Sequence, residues 1–498
     1  MKNKNILIYY PDTKNYNPTP PYESLMLIEA LKDFSERIIF VDAAKDHFEI
    51  EKLVQDSEIC IITTLIKYTS ITINFQLKDG INFSKILKNY KVPVVWTGMA
   101  PILLNKSIEE NCPDDILVKT TDENFLKIFI ENYTRNNKNI KEIYEDTLSD
   151  FIEDKNSFKK FGNYNFEKIS VEKYIHNNTF NYLATTGCVN SCSFCSVPVI
   201  YKKKWTHNSI ENIINHLRFL FENFPEIKVI HFRDDNFLVS KRFIFDLFKE
   251  IEKQNFSFTW SCQTSVNILK LYTQEDLKFL YDHGCRNISI GIESGDDYIL
   301  KNITKSKTTK RDSINTLKKI KNSGITVSVT SIISFPYNNK RDFIKTLKFL
   351  MRLKLKFPSL SLYCTIYQPI PGTEIFNEIY RDINTSTDTF SNNIWTTKKE
   401  KLKLKKFETF YFIFDNPHFY KLLPDDLAKD LKFINLFFSP LIRLRFLLGI
   451  TSNLWEYSLV RSKLNKIKQK HGIDLNYSLS DIGIRHLTSN FNYGFNKS

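Results

Sequence analysis

The sequence contains no uninterrupted apolar run of the ~18 residues that a membrane-spanning helix requires. The nearest approach, Phe433 to Ile450, is interrupted by Asn435, Pro440, Arg443 and Arg445. No secretory leader is expected either. The apolar run within Met1–Pro11 is too short, no small-residue cleavage site follows it, and it reads better as a first buried strand. Eight cysteines in 498 residues (60, 112, 188, 192, 195, 262, 285 and 364) do not make a disulfide framework. A cytoplasmic, reducing setting is therefore expected. No internal repeat and no nucleic-acid-binding motif is evident, so no nucleic-acid partner is expected. Glycine is scarce, with 13 residues in all, so two glycines flanking one side chain carry information.

What is present is an ordinary core-forming composition. Hydrophobic residues make up 42% and charged residues 25%, which excludes a wholly disordered or fibrous chain. The length suits two to four domains. A net charge of +14 favours acidic partners, whether phosphate, nucleic acid or anionic lipid, without choosing among them. Lys, Asn, Ile and Phe are abundant throughout, so part of that charge reflects a biased composition.

The first part of the chain alternates strand and helix patterns. Strands are predicted at Ile6–Tyr10, Ile38–Val41, Ile59–Thr63, Val92–Trp96 and Ile116–Lys119. Helices are predicted at Ser24–Phe34, Glu49–Val54, Phe83–Asn89 and Glu123–Asn132. This is the pattern of an open, doubly wound (Rossmann-like) α/β sheet over residues 1–135. Residues 136–178 are polar and read as a linker with short pieces of structure. A second series begins near 179, with strands at Asn181–Thr185, Val229–Arg233, Ser257–Cys262, Asn287–Gly291, Thr326–Ile333 and Ser361–Ile366. Six βα units are fewer than a closed eight-fold barrel uses, so a partial (β/α)6 barrel is expected over 179–390. Residues 391–498 read as a basic helical cap that opens on the Lys398–Lys406 run.

The strongest chemical signal is Thr185-Thr186-Gly187-Cys188-Val189-Asn190-Ser191-Cys192-Ser193-Phe194-Cys195, directly after the first strand of the second series. Three thiolates spaced C-x3-C-x2-C on a tight loop can hold three irons of a [4Fe–4S] cluster and leave the fourth open to a small chelating molecule. A structural zinc loop with a distant fourth ligand is the alternative. Three further segments follow later strands: His231-Phe232-Arg233-Asp234-Asp235-Asn236-Phe237; Ile290-Gly291-Ile292-Glu293-Ser294-Gly295 with Lys305 beyond it; and Pro369-Ile370-Pro371-Gly372-Thr373.

Together these segments resemble the radical S-adenosylmethionine (SAM) superfamily, and in particular its cobalamin (B12)-binding branch, which carries a doubly wound domain ahead of the barrel. In that superfamily the open iron chelates the amino and carboxylate groups of SAM, and one electron cleaves the sulfonium to a 5′-deoxyadenosyl radical. The resemblance implies Cys188, Cys192 and Cys195 as cluster ligands. It implies Asp234 and Asp235 near the amino group of SAM, and Gly291, Glu293, Ser294 and Lys305 around its ribose. A carboxylate beside an ammonium or facing two hydroxyls is sound physics. Cobalamin contacts are implied for Gly98 and Met99 and for the Thr63–Tyr68 segment. No D-x-H-x-x-G motif nominates a histidine ligand to cobalt.

This sequence departs from the family in several places. Ser334-Phe335 stands where glycines are usual before the proline. Thr97-Gly98 replaces a Gly-Gly pair, and Thr120-Thr121-Asp122-Glu123 replaces Gly-Glu-Gly-Glu. The expected function is a cobalamin-dependent radical SAM enzyme that methylates an unactivated carbon of a small-molecule, lipid or natural-product substrate. It would draw its electron from a flavodoxin- or ferredoxin-type donor. Two alternatives stay open: oxidative cyclisation or ring rearrangement on the same architecture, and a non-catalytic metal- or nucleic-acid-binding protein. Oligomeric state is not legible. For the aromatic and basic C-terminal region, a packed helix pair and a peripheral membrane contact both remain open.

Overall fold

The computed structural model describes residues 5–13, 19–64, 70–120, 122–135, 139–153, 162–333, 335, 339–380, 425–452 and 454–471. The Lys398–Lys406 run, Ser334, Pro336, Thr121 and the end of the Thr63–Tyr68 segment lie outside the described residues.

Two parallel sheets organise the chain. The first contains β1 (Ile6–Tyr10), β2 (Ile38–Asp42), β3 (Ile59–Thr64), β4 (Val94–Gly98) and β5 (Ile116–Leu117), in the order β2-β1-β3-β4-β5. β1, β3 and β4 are buried on both faces, which is why they read as continuous apolar runs rather than alternating ones. The strand order reverses beside β1, so this end of the sheet has the crevice that doubly wound folds use for ligands. β4 runs two residues further than its sequence suggested. It ends at Gly98, whose φ of +90° brings its backbone against Thr64. A Cβ at this position would lie 2.0 Å from the Thr64 carbonyl oxygen. Gly98→Ala is therefore expected to cost about 2–4 kcal/mol, combining a left-handed conformation with a backbone clash that neither strand can relieve. Denaturant unfolding would measure it.

The segment expected as a linker contains a 14-residue helix, Ile140–Glu153, packed on the helix Glu123–Arg135. Its Ile143 is buried with Phe125 and Phe129 in the core on that face of the first sheet. Amphipathic spacing hidden in a Lys/Glu-rich stretch explains why composition alone made it look like a tether.

The second sheet has the order β14-β13-β12-β11-β10-β7-β6. Six of its strands are parallel: β7 (Thr179–Tyr182), β10 (Val229–Phe232), β11 (Thr259–Ser265), β12 (Cys285–Glu293), β13 (Thr326–Ile333) and β14 (Ser361–Ile366). The short β6 (Ile175–His176) pairs antiparallel at the edge. The expected open six-unit barrel is thus present.

Its first strand is interrupted, however. After Tyr182 the chain turns into β8 (Thr185–Gly187), which pairs antiparallel with β9 (Trp205–His207). The cause is Asp234, whose Oδ1 accepts from the Ala184 N–H at 3.1 Å and from the Thr185 N–H. The carboxylate satisfies the amides that the lost strand pairing would leave bare.

The two sheets share one continuous apolar core. Tyr22, in the first unit, donates its hydroxyl to the Asn181 carbonyl of β7 at 2.7 Å and packs against Tyr164 and Tyr182. At the barrel mouth, Leu103 of the helix Met99–Leu103 and Val199 of the helix Val197–Tyr201 both come within 3.4 Å of the place a Cβ would take on Gly372. With its φ of +77°, Gly372 therefore lets the helix after β4 meet the helix after the cysteine loop.

The described C-terminal residues are helical: Asp425–Leu448, containing Pro440, and Trp455–His471. The first packs on the barrel helix Asn339–Lys356. Among the described residues no helix is long and apolar enough to cross a membrane.

Candidate active site

A cavity of about 220 Å³ opens at the carboxyl ends of the barrel strands. Cys188, Cys192 and Cys195 line it from one side, and Asp235, Gln263, Ser289, Gly291, Glu293 and Thr330 line it from strand ends. All three cysteines are partly exposed and outside any disulfide, whereas Cys60, Cys112, Cys262, Cys285 and Cys364 are buried. The sequence cluster therefore separates cleanly from the scattered core cysteines.

The loop is held from both sides. The Ser193 N–H donates to the Thr304 carbonyl at 3.2 Å, and the Ile375 N–H donates to the Ser193 carbonyl at 3.1 Å. Phe194 packs on Phe335 with ring centroids 5.7 Å apart, and Phe335 packs on Tyr367 at 5.4 Å. Phe335 is fully buried in that small cluster. The departure from the family's glycines thus has a physical account: the phenyl ring fills the space beneath the cysteine loop.

Burial raises the thiol pKa of Cys192, reinforced by Glu293 and the neighbouring cysteines, and pushes that of Cys195 up to about 12. Such a group of donors is costly to ionise unless a cationic centre compensates it. Among the described residues no three His, Cys, Asp or Glu side chains converge closely enough to hold a single metal ion. A zinc site needs that convergence. A cubane does not, because each thiolate takes a different iron. Three thiols lining one cavity, each able to take a different iron, fit a cluster.

Glu293 faces the thiols across the cavity. The β12–β13 register slips between Gly291 and Glu293, and Glu293 itself has φ +58°. A non-glycine residue in this conformation is strained. The bulge is what aims the carboxyl group into the cavity rather than along the sheet. A Cβ on Gly291 would lie 2.4 Å from Glu293 Oε1, so any larger residue would push the carboxylate out of its present position. Burial alone raises its pKa to about 7. Among the described residues no donor reaches it. A half-buried acceptor that faces the cavity and takes no protein donor is a place for a ligand that brings hydroxyls.

Other expected contacts separate by geometry. Asp235 lines the cavity while its Oδ2 accepts from the Gly187 N–H at 2.8 Å, beside the first cysteine. Asp234 is fully buried beneath β8 and does not line the cavity, because its carboxylate is used to turn the chain. Ser294 is likewise buried and donates to Asp342 Oδ1 at 2.6 Å. Lys305 lines a narrow adjoining cleft with Glu293 and Cys192, but it is half exposed and ion-paired with Glu374. Gly98 is occupied by its approach to Thr64, and Met99 is buried.

Two asparagines stand out that their motifs had not marked as functional. Asn236 Nδ2 lies 3.4 Å from Cys188 Sγ and 3.2 Å from Ser265 Oγ, while its Oδ1 accepts from the Thr264 hydroxyl at 2.7 Å. Asn190, inside the cysteine loop, donates to Ser265 Oγ at 3.0 Å and accepts from Asn267 at 3.0 Å. The only sequence signal was position: one follows the paired aspartates and the other lies between cysteines. Asn236→Leu removes an amide that is 1% exposed and strands the Thr264 hydroxyl. It is expected to cost about 2–4 kcal/mol of stability, read by denaturant unfolding.

The partial barrel's mouth thus presents three thiols on one loop opposite a half-buried carboxylate. Residues 182–350 match the family described as the radical SAM superfamily, so this part of the chain carries a radical SAM domain. It is 29% identical over 225 residues to an uncharacterized methyltransferase of Pyrococcus horikoshii, covering 45% of this chain and 47% of the relative. It is 28% identical over 198 residues to the bacteriochlorophyllide d C-12(1)-methyltransferase of Chlorobaculum tepidum, covering 40% and 42%. The chain thus spans less than half the length of these two relatives.

Among solved structures, the radical SAM methyltransferase TsrM from Kitasatospora setae, with cobalamin and a [4Fe-4S] cluster bound, superposes with a TM-score of 0.61 at 15% identity. It covers 77% of this chain and 79% of that one. The cobalamin-dependent radical enzyme OxsB, with aqua-cobalamin bound, gives 0.58 at 13% identity over 97% and 81%. These likenesses establish the shared fold, including the sheet that precedes the barrel.

Proposed function

We propose that this chain is a cobalamin-dependent radical SAM enzyme that methylates an unactivated carbon of a small-molecule, lipid or natural-product substrate. The observation that carries the reading is one cavity lined by three thiols and a half-buried carboxylate. The methyltransferase relatives and the two cobalamin-bound folds support the choice of reaction. When bound, the cluster and cobalamin supply the electron that cleaves SAM and the methyl group that is transferred.

The chain's own residues would hold and orient. Cys188, Cys192 and Cys195 would grip three irons, and Asn236 would steady Cys188 through its amide. Asp235 would face the ammonium of SAM, and Glu293 would accept from its ribose hydroxyls. Gly291 keeps the space beside that carboxylate open. Asp234 and Ser294 would act through the backbone they tie down rather than through contact.

Thr64, Thr97, Gly98 and Ala100 are small residues at the carboxyl ends of β3 and β4, which suits the approach of a broad flat ring. The Leu103–Val199 approach sets that edge beside the cysteine loop. The proposed division is a cobalamin-binding-type domain over 1–135, a linker over 136–178, the barrel over 179–390 and the cap from 391. A small acidic flavodoxin or ferredoxin would supply the electron.

Anaerobic reconstitution with iron, sulfide and cobalamin, followed by methyl-labelled SAM, tests the reading. Release of 5′-deoxyadenosine with label in a product supports it. Release of 5′-deoxyadenosine from cofactor-loaded enzyme, with product formed but never labelled, overturns methylation in favour of cyclisation or rearrangement.

A further inference from the structure

The two described C-terminal helices form a hairpin with one face on the barrel and the other exposed among the described residues. Leu431, Ile442, Phe446, Tyr457 and Leu464 are buried on the packed side. On the other side Phe433, Leu436, Leu444, Leu447, Leu448, Ile450, Trp455 and Leu459 are between 40% and 74% exposed. Phe433, Leu436, Pro440, Leu444 and Leu447 recur every three or four residues, so they form one stripe along the helix. It continues through Ile450 to Trp455 and Leu459 on the second helix. Exposed apolar side chains scattered singly need no explanation, but a contiguous stripe does.

This stripe is rigidly presented. Arg445 and Glu456 are each 3% exposed and form a bidentate pair, with Nε to Oε1 at 2.8 Å and Nη2 to Oε2 at 2.6 Å. Arg445 Nη1 also donates to the carbonyls of Ile450 at 3.0 Å and Ser452 at 2.7 Å. The turn between the helices is therefore fixed from within, and its leucines are held outward instead of folding back.

Basic side chains border the stripe: Lys429, Lys432, Arg443, Arg461, Lys463 and Lys466 are all exposed. Lys463 Nζ lies 5.5 Å from the Phe433 ring centroid, with its stem along the apolar surface and its charge at the edge. Of the acidic side chains described on the hairpin, Glu456 is buried, Asp430 is paired with Lys470, and Asp426 is exposed near that same pair at the start of the first helix. An apolar ridge of Leu, Phe and Trp rimmed by cations matches the acyl–headgroup boundary of an anionic bilayer. A protruding ridge does not offer the concave pocket that a peptide or small molecule fills.

We infer that the Asp425–His471 hairpin docks the protein on the surface of a bilayer containing anionic lipid, without spanning it. The inference does not depend on the reaction assigned above. Flotation of the full chain with vesicles of phosphatidylcholine, alone or mixed with phosphatidylglycerol, tests it.

Binding is expected to favour the anionic vesicles and to weaken as salt is raised. The Leu447→Asp/Leu448→Asp variant is expected to lose roughly tenfold or more of that binding while keeping its melting temperature. Lys432→Glu/Lys466→Glu is expected to lose the preference for anionic vesicles. The vesicle-induced blue shift of tryptophan emission is expected to vanish in Trp455→Phe. Equal flotation of wild type and the Leu447/Leu448 variant overturns the inference. So does a marked fall in that variant's melting temperature, which means the chain itself covers the stripe. Concentration-dependent self-association abolished by the same variant overturns it in favour of a second copy of the chain.

Discussion

Cys192→Ala is expected to yield a chain that folds, retains no iron–sulfur chromophore after reconstitution, and releases 5′-deoxyadenosine from SAM only at background level. The side chain lines both the main cavity and the adjoining cleft, so its loss removes a donor without opening the core. Its backbone carbonyl still accepts from the Cys195 N–H at 3.1 Å, so the loop keeps its turn. In the absence of iron the variant should match the wild type in stability to within about 1 kcal/mol, because a raised-pKa thiol is uncharged at neutral pH. Iron and sulfide analysis, with absorption near ~400 nm, reads the loss directly. The same substitution at the buried Cys262 or Cys364 should leave iron content unchanged. A Cys192→Ala protein that retains full iron would refute the three-thiol assignment.

Glu293→Gln is expected to stabilise the apoprotein and to weaken SAM binding at the same time. Burial lifts the folded-state pKa to about 7, from an ordinary carboxyl value of 4.5. Between those two values the folded state holds more protons than the unfolded one, so stability falls as pH rises through this window. Above pH 7 the full cost of keeping the half-buried carboxylate ionised is present, about 2–3 kcal/mol once solvent screening is allowed for. The variant should recover about that much at pH 8 and lose the slope between pH 4.5 and 7.

Binding has the opposite sign. Ribose hydroxyls donate to the ionised form, so wild-type affinity should be full above pH 7 and fall about tenfold per unit below it. The variant should bind SAM roughly 10–100-fold more weakly at pH 8, with a flat pH profile. Denaturant unfolding across pH, together with equilibrium dialysis of SAM, measures both. Wild-type affinity that does not change across pH 5–8 would remove Glu293 from the nucleoside site.

The carboxylate at 293 and the left-handed backbone at the same residue belong together. A protein selected for stability alone would not keep a strained bulge that draws an acid partly out of water. Gly291 belongs to the same arrangement, since any larger residue would occupy the space that Glu293 uses.

Sequence alone determined the alternation of buried strands with amphipathic helices, and hence two parallel sheets with six barrel units in the second. The reason is local: hydrophobic period and run length fix which faces must be covered, whatever the partner. The three-cysteine spacing was equally legible, because ligands within eight residues need no long-range contact to come together. Which carboxylate reaches the cavity was decided only in three dimensions. Asp234 and Asp235 are adjacent in sequence and chemically identical, yet one ties down β8 and the other lines the cavity. Glu293 and Ser294 differ in the same way, through a one-residue register slip. The meeting of Leu103, Val199 and Gly372, the burial of Phe335 under the cysteine loop, and the Arg445–Glu456 lock all join distant segments or depend on where a side chain is packed. Packing is a property of the whole chain at once, so no window of the sequence contained it.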